Sequence, residues 1–515
     1  MVSGSQLFRP QVPMVKGYEE RLAWLAGAPA ALVAGAAARV WFYLLNDSFW
    51  RDESMLLLNV AHKSFGGLLG PLDFAQEAPV PLLWFYRLLF LSGAGGELAM
   101  RVLSLAAGIL ALVLFYRLAR GVLPERGSVL FATWLLALAP GAILVAAQAK
   151  PYSLDLLVAV GLLSLAAPRF MQGPARPGAA RLAAAAALAP WFSLPAIFVD
   201  AGIGAGLLLQ ARSRGLRPAL LFLAAVVLSF ALEFFLVLRR CLGMQQFIQE
   251  WFLHFSWNSF TWAFSQTFFA YLGPQGHFWS LALWAVAGLA AVGILEAGRR
   301  DGWPWTAVLL LPLGLALGAA AVRIYPLFGR LLLFATPGLY LLAGYGTAWF
   351  SRLIPRPRLL AATLTILALP CLMGFITTLS RPVAGVREAL AFVAAEQQPG
   401  DLVLADSYAL PTLAYYRLLG RPEALALKCD LKVEDWSWGR VDPWQLKPEG
   451  LWARVPPGAG VWLVAETLDY ARAGVREALP YWRSLTERFQ AERREVAGYV
   501  TDRVQVRGFA PLARD

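Results

Sequence analysis

Three cysteines in 515 residues are too few to staple a secreted disulfide scaffold, and no spacing pairs Cys241, Cys371 and Cys429. Histidine is equally scarce. His254 and His277 lack ligand spacing, and only with Glu77 does either outline a metal set, which leaves room for a divalent cation and predicts no other cofactor. No glycine-rich strand–loop–helix marks a nucleotide site. The 45 Gly and 33 Pro follow no three-residue period, which excludes a collagen-like fibre. No period of about 20–50 residues marks a repeat array. The largest deficit is charge: Asp, Glu, Lys and Arg make up 15% of the chain, against about 25% in a soluble protein.

Apolar residues fill the gap. They make up 58% of the chain, and the mean hydropathy is +0.56. This excludes a disordered chain and places most of the protein in a bilayer. A spanning helix needs about 20 mostly apolar residues. Eleven stretches qualify, near 22–45, 98–116, 127–147, 152–168, 182–194, 195–211, 218–238, 279–298, 305–322, 331–351 and 359–379. The pair within 182–211 reads either as two short helices meeting at Trp191–Pro195 or as one tilted span. The stretch 79–92 is too short to cross and reads as an interfacial or re-entrant helix. The first apolar stretch has no convincing small-residue cleavage site after it and is read as a retained span.

The net charge of +12 sorts by side. The segments before 22 and at 117–126, 169–181, 212–217, 299–300 and 352–358 hold 17 Lys and Arg, whereas 46–97, 148–151, 239–278 and 323–330 hold 8. Basic short loops lie in the cytoplasm. The N-terminus is therefore expected inside, the protein in the cytoplasmic (inner) membrane, and the chain beyond the eleventh span outside. The bilayer accounts for the basic excess, so no nucleic-acid partner is expected.

From about residue 381 charges become frequent and apolar runs shorten. VREALAFVAAEQQ reads as an amphipathic helix, PGDLVLADS as a turn and buried strand, ALPTLAYYRLLG as a helix ended by Gly420, and AGVWLVAE as a second strand. LDYARAGVREALPYWRSLTERF reads as a long helical region and VAGYVTDRVQVRGF as a terminal hairpin. The expected architecture is an α-helical polytopic membrane protein, residues 1–380, with a long first outer loop at 46–97. An extracytoplasmic α/β domain follows at 381–515.

The outer loops carry the chemistry-bearing residues. NDSFWRDES places Asp52 and Glu53 just beyond the first span, and FAQEAPVPLLW follows with Glu77. A carboxylate facing a cavity at the membrane surface can act as a general base. The plainer reading is a pair of acids in a helix's first turn, favoured by its dipole. AQAKPYSLD brings Lys150 and Tyr152, and RIYPLFGR brings Arg323, Tyr325 and Arg330. These cations suit a lipid phosphate or pyrophosphate as well as they suit snorkelling headgroup anchors. Arg101 lies inside its span and has to pair with an acid or line a cavity. The aromatic loop QEWFLHFSWNSFTWAFSQTFFAYL suits a lipid tail or sugar face, or the interface that Trp and Tyr prefer.

The order of these elements resembles the GT-C superfamily of membrane glycosyltransferases, and within it bacterial members of glycosyltransferase family 39, the protein mannosyltransferase and aminoarabinose transferase type. The resemblance runs from WRDESMLLLNVAHKSFGGLLG through FAQEAPVPLLWFYRLLF to AQAKPYSLDLL, and it returns in YPLFGRLLLFATPGLYLLAGYG and PGDLVLADSYALPTLAYYRLLG. It implies transfer of a sugar, with inversion, from a polyprenyl phosphate lipid to a hydroxyl on a lipid, glycan or protein acceptor. It implies that Asp52 accepts or orients the acceptor's proton beside Glu53. Lys150, Tyr152, Arg330 and Arg323 would hold the donor phosphate, and Glu77 and Arg101 would support the loop or acceptor. The C-terminal domain varies in this superfamily and can bind the acceptor. One departure is Ala78-Pro79-Val80-Pro81 where many relatives have two adjacent prolines after His or Lys. Two other classes fit the helices: a lipid transporter or flippase, which predicts inverted repeats that the sequence lacks, and a non-catalytic lipid-binding assembly protein.

Overall fold

The computed structural model describes residues 14–171, 178–239, 277–326, 329–354, 376, 385–405, 409–425, 458–466, 486–500 and 504–511. Its helices run in chain order as α1 (Met14–Leu44), α2 (Arg51–His62), α3 (Val80–Leu91), α4 (Glu97–Val122), α5 (Arg126–Ala137), α6 (Pro140–Ala146) and α7 (Tyr152–Met171). Then come α8 (Ala179–Phe192), α9 (Ala196–Leu209), α10 (Ala211–Arg214), α11 (Arg217–Leu236), α12 (His277–Arg300), α13 (Trp303–Ala321) and α14 (Thr336–Leu353), the last preceded by a 3-10 segment, Gly329–Ala335.

The chain is a multi-pass membrane protein. Among the described residues six helical segments are long and apolar enough to cross, and the bent pair α5–α6 makes a seventh. The sequence expects eleven. The shortfall has identifiable sources. The stretches 182–194 and 195–211 are α8 and α9, each of 14 residues, and at 1.5 Å per residue each reaches about 21 Å, short of the hydrocarbon thickness. They form two helices joined at Ser193–Pro195. Helix α12 lies over the expected 279–298 span, and 359–379 falls outside the described residues apart from Ile376. The expected interfacial stretch is α3, 12 residues long.

Helix α14 with its 3-10 lead-in is the centre of the bundle, with 94% of its apolar window buried. Small residues let neighbours reach it. A Cβ on Gly346 would run into the Leu289 carbonyl of α12, one on Gly293 into the Leu342 carbonyl, and one on Gly338 into the Leu309 carbonyl of α13. Packing of this kind replaces the hydrophobic drive that helices lack in lipid.

Proline divides the span α5–α6. Pro140 has no N–H, so the chain bends by 49° there, and carbonyls 136 and 137 lose their helical donors. Arg39, fully buried on α1, supplies replacements: Nη2 donates to the Leu136 carbonyl at 3.1 Å and Nη1 to Ala137 at 3.3 Å and Gly35 at 2.7 Å. A buried arginine thus finds partners, and the bend points α6 towards Ala149 and Lys150.

Towards the C-terminus four strands, β1 (Leu402–Ala405), β2 (Val461–Glu466), β3 (Arg493–Val500) and β4 (Val504–Pro511), form one sheet in the order β1-β2-β4-β3. Strand β1 pairs parallel to β2, with Leu404 opposite Leu463; the other pairs are antiparallel, with Val464 opposite Val506. Helix α15 (Val386–Glu396) buries Val386, Ala389, Leu390 and Val393, the i, i+3, i+4, i+7 stripe of an amphipathic helix. Helix α16 (Leu410–Leu418) follows β1, and Gly420, with φ of +69°, ends that segment. Here the strands, the two helices and the hairpin lie where the sequence places them. Of the long helical region expected at 468–489, residues 468–485 lie outside the described residues, and 486–489 are helical.

One hydrophobic core joins this sheet to α2 and α3. Phe49, Leu57 and Tyr86 belong to the same buried cluster as Leu390, Tyr415, Tyr416 and Val464. Phe49 packs edge-on against Tyr415 at 5.4 Å between centroids. The sheet therefore sits on the end of the bundle where α1 ends, α4 and α7 begin, and Arg330 lies.

Candidate active site

Trp50 has an extended backbone (φ −92°, ψ 166°) and Arg51 opens α2, so Asp52 and Glu53 fall in the first turn, where the helix dipole favours anions. Successive helical residues point about 100° apart. The two carboxylates therefore face different partners.

Glu53 turns inward. Its Oε1 accepts from Arg101 Nε at 2.9 Å and from the Ala149 backbone N–H at 2.6 Å. Its Oε2 accepts from Arg101 Nη2 at 2.7 Å and from the Trp50 N–H at 3.2 Å. Arg101 also donates to the Asp47 and Ser48 carbonyls, at 2.6 and 3.2 Å, and its guanidinium lies 5.1 Å over the Phe49 ring. The expected partner of Arg101 is thus Glu53, and the pair fastens the first loop to α4 and to the segment before Lys150. For Glu53 the plain first-turn reading holds as well, since it closes the helix on the Trp50 N–H.

Asp52 faces the other way. Arg330 Nη2 donates to Oδ2 at 2.6 Å, and Arg51 donates to Oδ1 through Nε at 3.3 Å and Nη2 at 3.2 Å. The Arg330 guanidinium lies over the rings of Trp50, at 4.9 Å, and Tyr152, at 5.5 Å. These contacts hold its charge in place on their own account. Burial alone would push the Asp52 carboxyl up, but the charges of Arg330, Arg51 and Lys150 hold it well below the usual carboxylate range.

Lys150 is buried in the loop between α6 and α7, and its Nζ donates to Gln76 Oε1. Burial pushes its amine down to about 8, with Arg330 and Arg51 acting the same way and the Asp52 carboxylate opposing. Gln76 is placed by a strained turn: Phe74 and Ala75, neither of them glycine, have φ of +62° and +47°. Asn59 of α2 holds that turn from below, donating to the Asp73 carbonyl at 3.1 Å and accepting the Asp73 N–H at 2.6 Å.

Three loops far apart in the sequence thus converge. Of the expected residues, Asp52, Lys150, Tyr152 and Arg330 form one cluster, and Glu53 with Arg101 forms the clamp beneath it. Glu77 follows Gln76 and is exposed; protein on most sides of it raises its carboxyl by desolvation. Arg323, in a left-handed turn (φ +61°) after α13, is exposed, and the described contacts do not bring it to Asp52 or Lys150. His254 and the aromatic loop around it lie outside the described residues, as does the side chain of His277. Among the described residues no three metal-ligating side chains come together.

Sequence reasoning missed Arg51, Gln76, Trp50 and the clamp role of Ala149. Arg51 and Trp50 stand beside Asp52, so adjacency was the available signal. Gln76 is neutral, and only the fold brings it to Lys150.

The cluster carries Arg51, Arg330 and Lys150 against Asp52, a surplus of two positive charges when the lysine is protonated. Such a site suits a phosphate group, with arginine forks and a lysine point charge around it. The carboxylate in its midst suits a hydroxyl whose proton has to leave.

No family model and no curated protein sequence matches the chain. Several solved structures are similar to it. One is ArnT from Cupriavidus metallidurans bound to undecaprenyl phosphate, at 16% identity and a TM-score of 0.46, covering 96% of this chain and 98% of that one. A second is the Archaeoglobus fulgidus oligosaccharyltransferase in the apo form, at 12% identity and a TM-score of 0.48, covering 95% of this chain and 75% of that one. A third is the arabinofuranosyltransferase AftD from Mycobacteria, at 16% identity and a TM-score of 0.46, covering 95% of this chain and 42% of that one. Each likeness takes in at least 95% of this chain.

Proposed function

We propose that the chain is an integral-membrane glycosyltransferase that moves a sugar from a polyprenyl-phosphate donor to a hydroxyl of a lipid, glycan or protein acceptor. The observation that carries this reading is Asp52 held among Arg330, Arg51 and Lys150 where three bundle-end loops meet. A phosphate-binding set and a base lie side by side there, as a displacement at a phosphate-bearing sugar carbon requires.

In that reaction the acceptor oxygen attacks the anomeric carbon from the face opposite the phosphate. The carbon–oxygen bond to phosphate breaks, and its electron pair leaves on the polyprenyl phosphate. Asp52 takes the acceptor proton. The donor phosphodiester carries one negative charge and the departing phosphate gains another, so cations aimed at it bind the transition state more tightly than the ground state. Lys150 and Arg330 supply that charge, Tyr152 and Trp50 hold Arg330, and Gln76 holds Lys150. Glu53 and Arg101 act as positioning residues. The reading places the protein in the cytoplasmic membrane, with the N-terminus inside and the site and sheet on the outer face, as the loop charges favour.

The test is transfer by purified protein in lipid vesicles, with a panel of radiolabelled polyprenyl-phosphate sugars as donors and a membrane extract as acceptor. Label should pass to an extract component with wild type, and fall by about 10²–10⁴-fold with Asp52→Asn, the range for loss of a general base. Equal transfer by the variant would overturn the assignment of Asp52. A flippase would move labelled lipid between leaflets without forming a new glycoside.

A further inference from the structure

We propose that Arg330 is an exchangeable clasp: it holds Asp52 in the resting protein and passes to the donor phosphate on binding, so that the donor itself releases the base. This deepens the transferase reading and rests on it.

The resting geometry poses a problem that the exchange solves. Both Asp52 oxygens are engaged by guanidinium groups, and a carboxylate so held is a weak base. Its two partners differ. Arg51 is the adjacent residue of the same helix and meets Asp52 at 3.2–3.3 Å. Arg330 comes from the central helical segment and meets it at 2.6 Å. Because Arg330 is also seated over Trp50 and Tyr152, it need not move to change partners; an arriving phosphate takes the place of the carboxylate at a fixed guanidinium. Lys150 already donates to neutral Gln76, so its charge can turn to the same phosphate without breaking an ion pair with Asp52.

The neighbouring pair shows what a non-exchangeable clasp looks like. Glu53 and Arg101 have side chains 2% and 4% exposed, and each carboxylate oxygen has two donors. Asp52 and Arg330 are 11% and 19% exposed, within reach of a ligand.

Exchange has a reciprocal consequence. If phosphate weakens the hold of Arg330 on Asp52, then the Asp52 anion weakens phosphate binding by the same factor. Removing the Asp52 charge should therefore tighten binding of the phosphate lipid while transfer is lost. A carboxylate that merely shaped the site would do the reverse.

The experiment measures polyprenyl phosphate binding to the full chain in lipid nanodiscs for wild type, Asp52→Asn, Arg330→Gln and the double variant. Asp52→Asn should bind about tenfold more tightly than wild type, within the usual range of coupling between sites. Arg330→Gln should bind more weakly, and in its background Asp52→Asn should gain little. The clasp is overturned if Asp52→Asn binds no tighter than wild type, or gains equally with and without Arg330. Asp52→Ser takes its place in the cycle if the Asn variant does not fold. Failure of wild type to bind the lipid at all would sink the transferase reading, and the clasp with it. Wild-type binding without any gain in the variant would sink the clasp alone.

Discussion

Asp52 and Glu53 are consecutive residues of one helical turn, and each meets an arginine from a distant helix. Glu53 is enclosed: two backbone N–H groups and a forked guanidinium occupy its oxygens, and the pair is almost sealed from solvent. Asp52 shares its arginine with two aromatic rings and keeps part of its surface open. The same chemical pairing therefore serves two ends. Saturated and buried, it is a fastening. Partly open and surrounded by surplus positive charge, it is the candidate site proposed above.

The pair can be separated by making the same change in each. Asp52→Asn should cost transfer its full general-base contribution, as above, and lower the melting temperature less than the same change at Glu53, because Arg330 keeps its rings and part of its surface open. Glu53→Gln should act the other way round. It leaves Arg101 charged and buried without its counter-ion, a change that costs about 3–5 kcal/mol. Thermal melting in detergent is the measurement. A Glu53→Gln variant that melts like wild type would show that the clamp is not a fastening.

The surplus charge has its own test through pH. Burial lowers the Lys150 amine to about 8, so it is charged below that pH and neutral above it. Donor kcat/KM should fall as pH rises through about 8, because the phosphate loses a cation. The sign for stability is opposite. The unfolded amine keeps its proton up to about 10.4, so this group favours the folded state increasingly as pH rises from 8 to the unfolded value. Bound phosphate stabilises the ammonium, so the same limb should lie at higher pH in kcat than in kcat/KM. Lys150→Met should remove the limb, and its persistence in that variant would assign it to another group.

Hydropathy and loop charge located most of the helices because bilayer thickness constrains length and composition strongly. At 182–211 they left one tilted span or two short helices open, and the structure has two 14-residue helices there, each shorter than the hydrocarbon thickness. Asp52, Lys150, Tyr152 and Arg330 were legible because charged and amphipathic residues at span ends are few. What the sequence could not order was the division of labour between Asp52 and Glu53. That depends on which oxygen faces Ala149 and which faces Arg330, residues 96 and 278 positions away along the chain. Gln76 was hidden for a similar reason: a neutral amide becomes a lysine partner only when the strained turn at Phe74 and Ala75 presents it.

The smallest expected effect concerns how the sheet holds the loop that carries Asp52. Tyr416 of α16 is fully buried; its hydroxyl accepts from the Phe49 N–H at 2.9 Å and donates to Glu97 Oε1 at 2.8 Å. Glu97, the first residue of α4, also receives Arg387 at 2.8 Å and Arg421 at 3.2 Å. Tyr416→Phe would leave the Phe49 N–H without its acceptor while Glu97 keeps both arginines, a cost of about 1–3 kcal/mol. Phe49 precedes Trp50, the ring beneath Arg330, so the loss should reach the cluster as a few-fold rise in donor KM with kcat little changed. Tyr415→Phe is the control. Its hydroxyl donates to the Gly95 carbonyl, at 3.0 Å, and not to the segment that carries Trp50, so its loss should cost about 0.5–1.5 kcal/mol with no change in KM. If both variants lower stability and neither moves KM, the sheet supports the bundle without setting the position of Asp52. If Tyr416→Phe alone moves it, the loop is tuned from the C-terminal side, and the open acid depends on the sheet as the enclosed acid depends on Arg101.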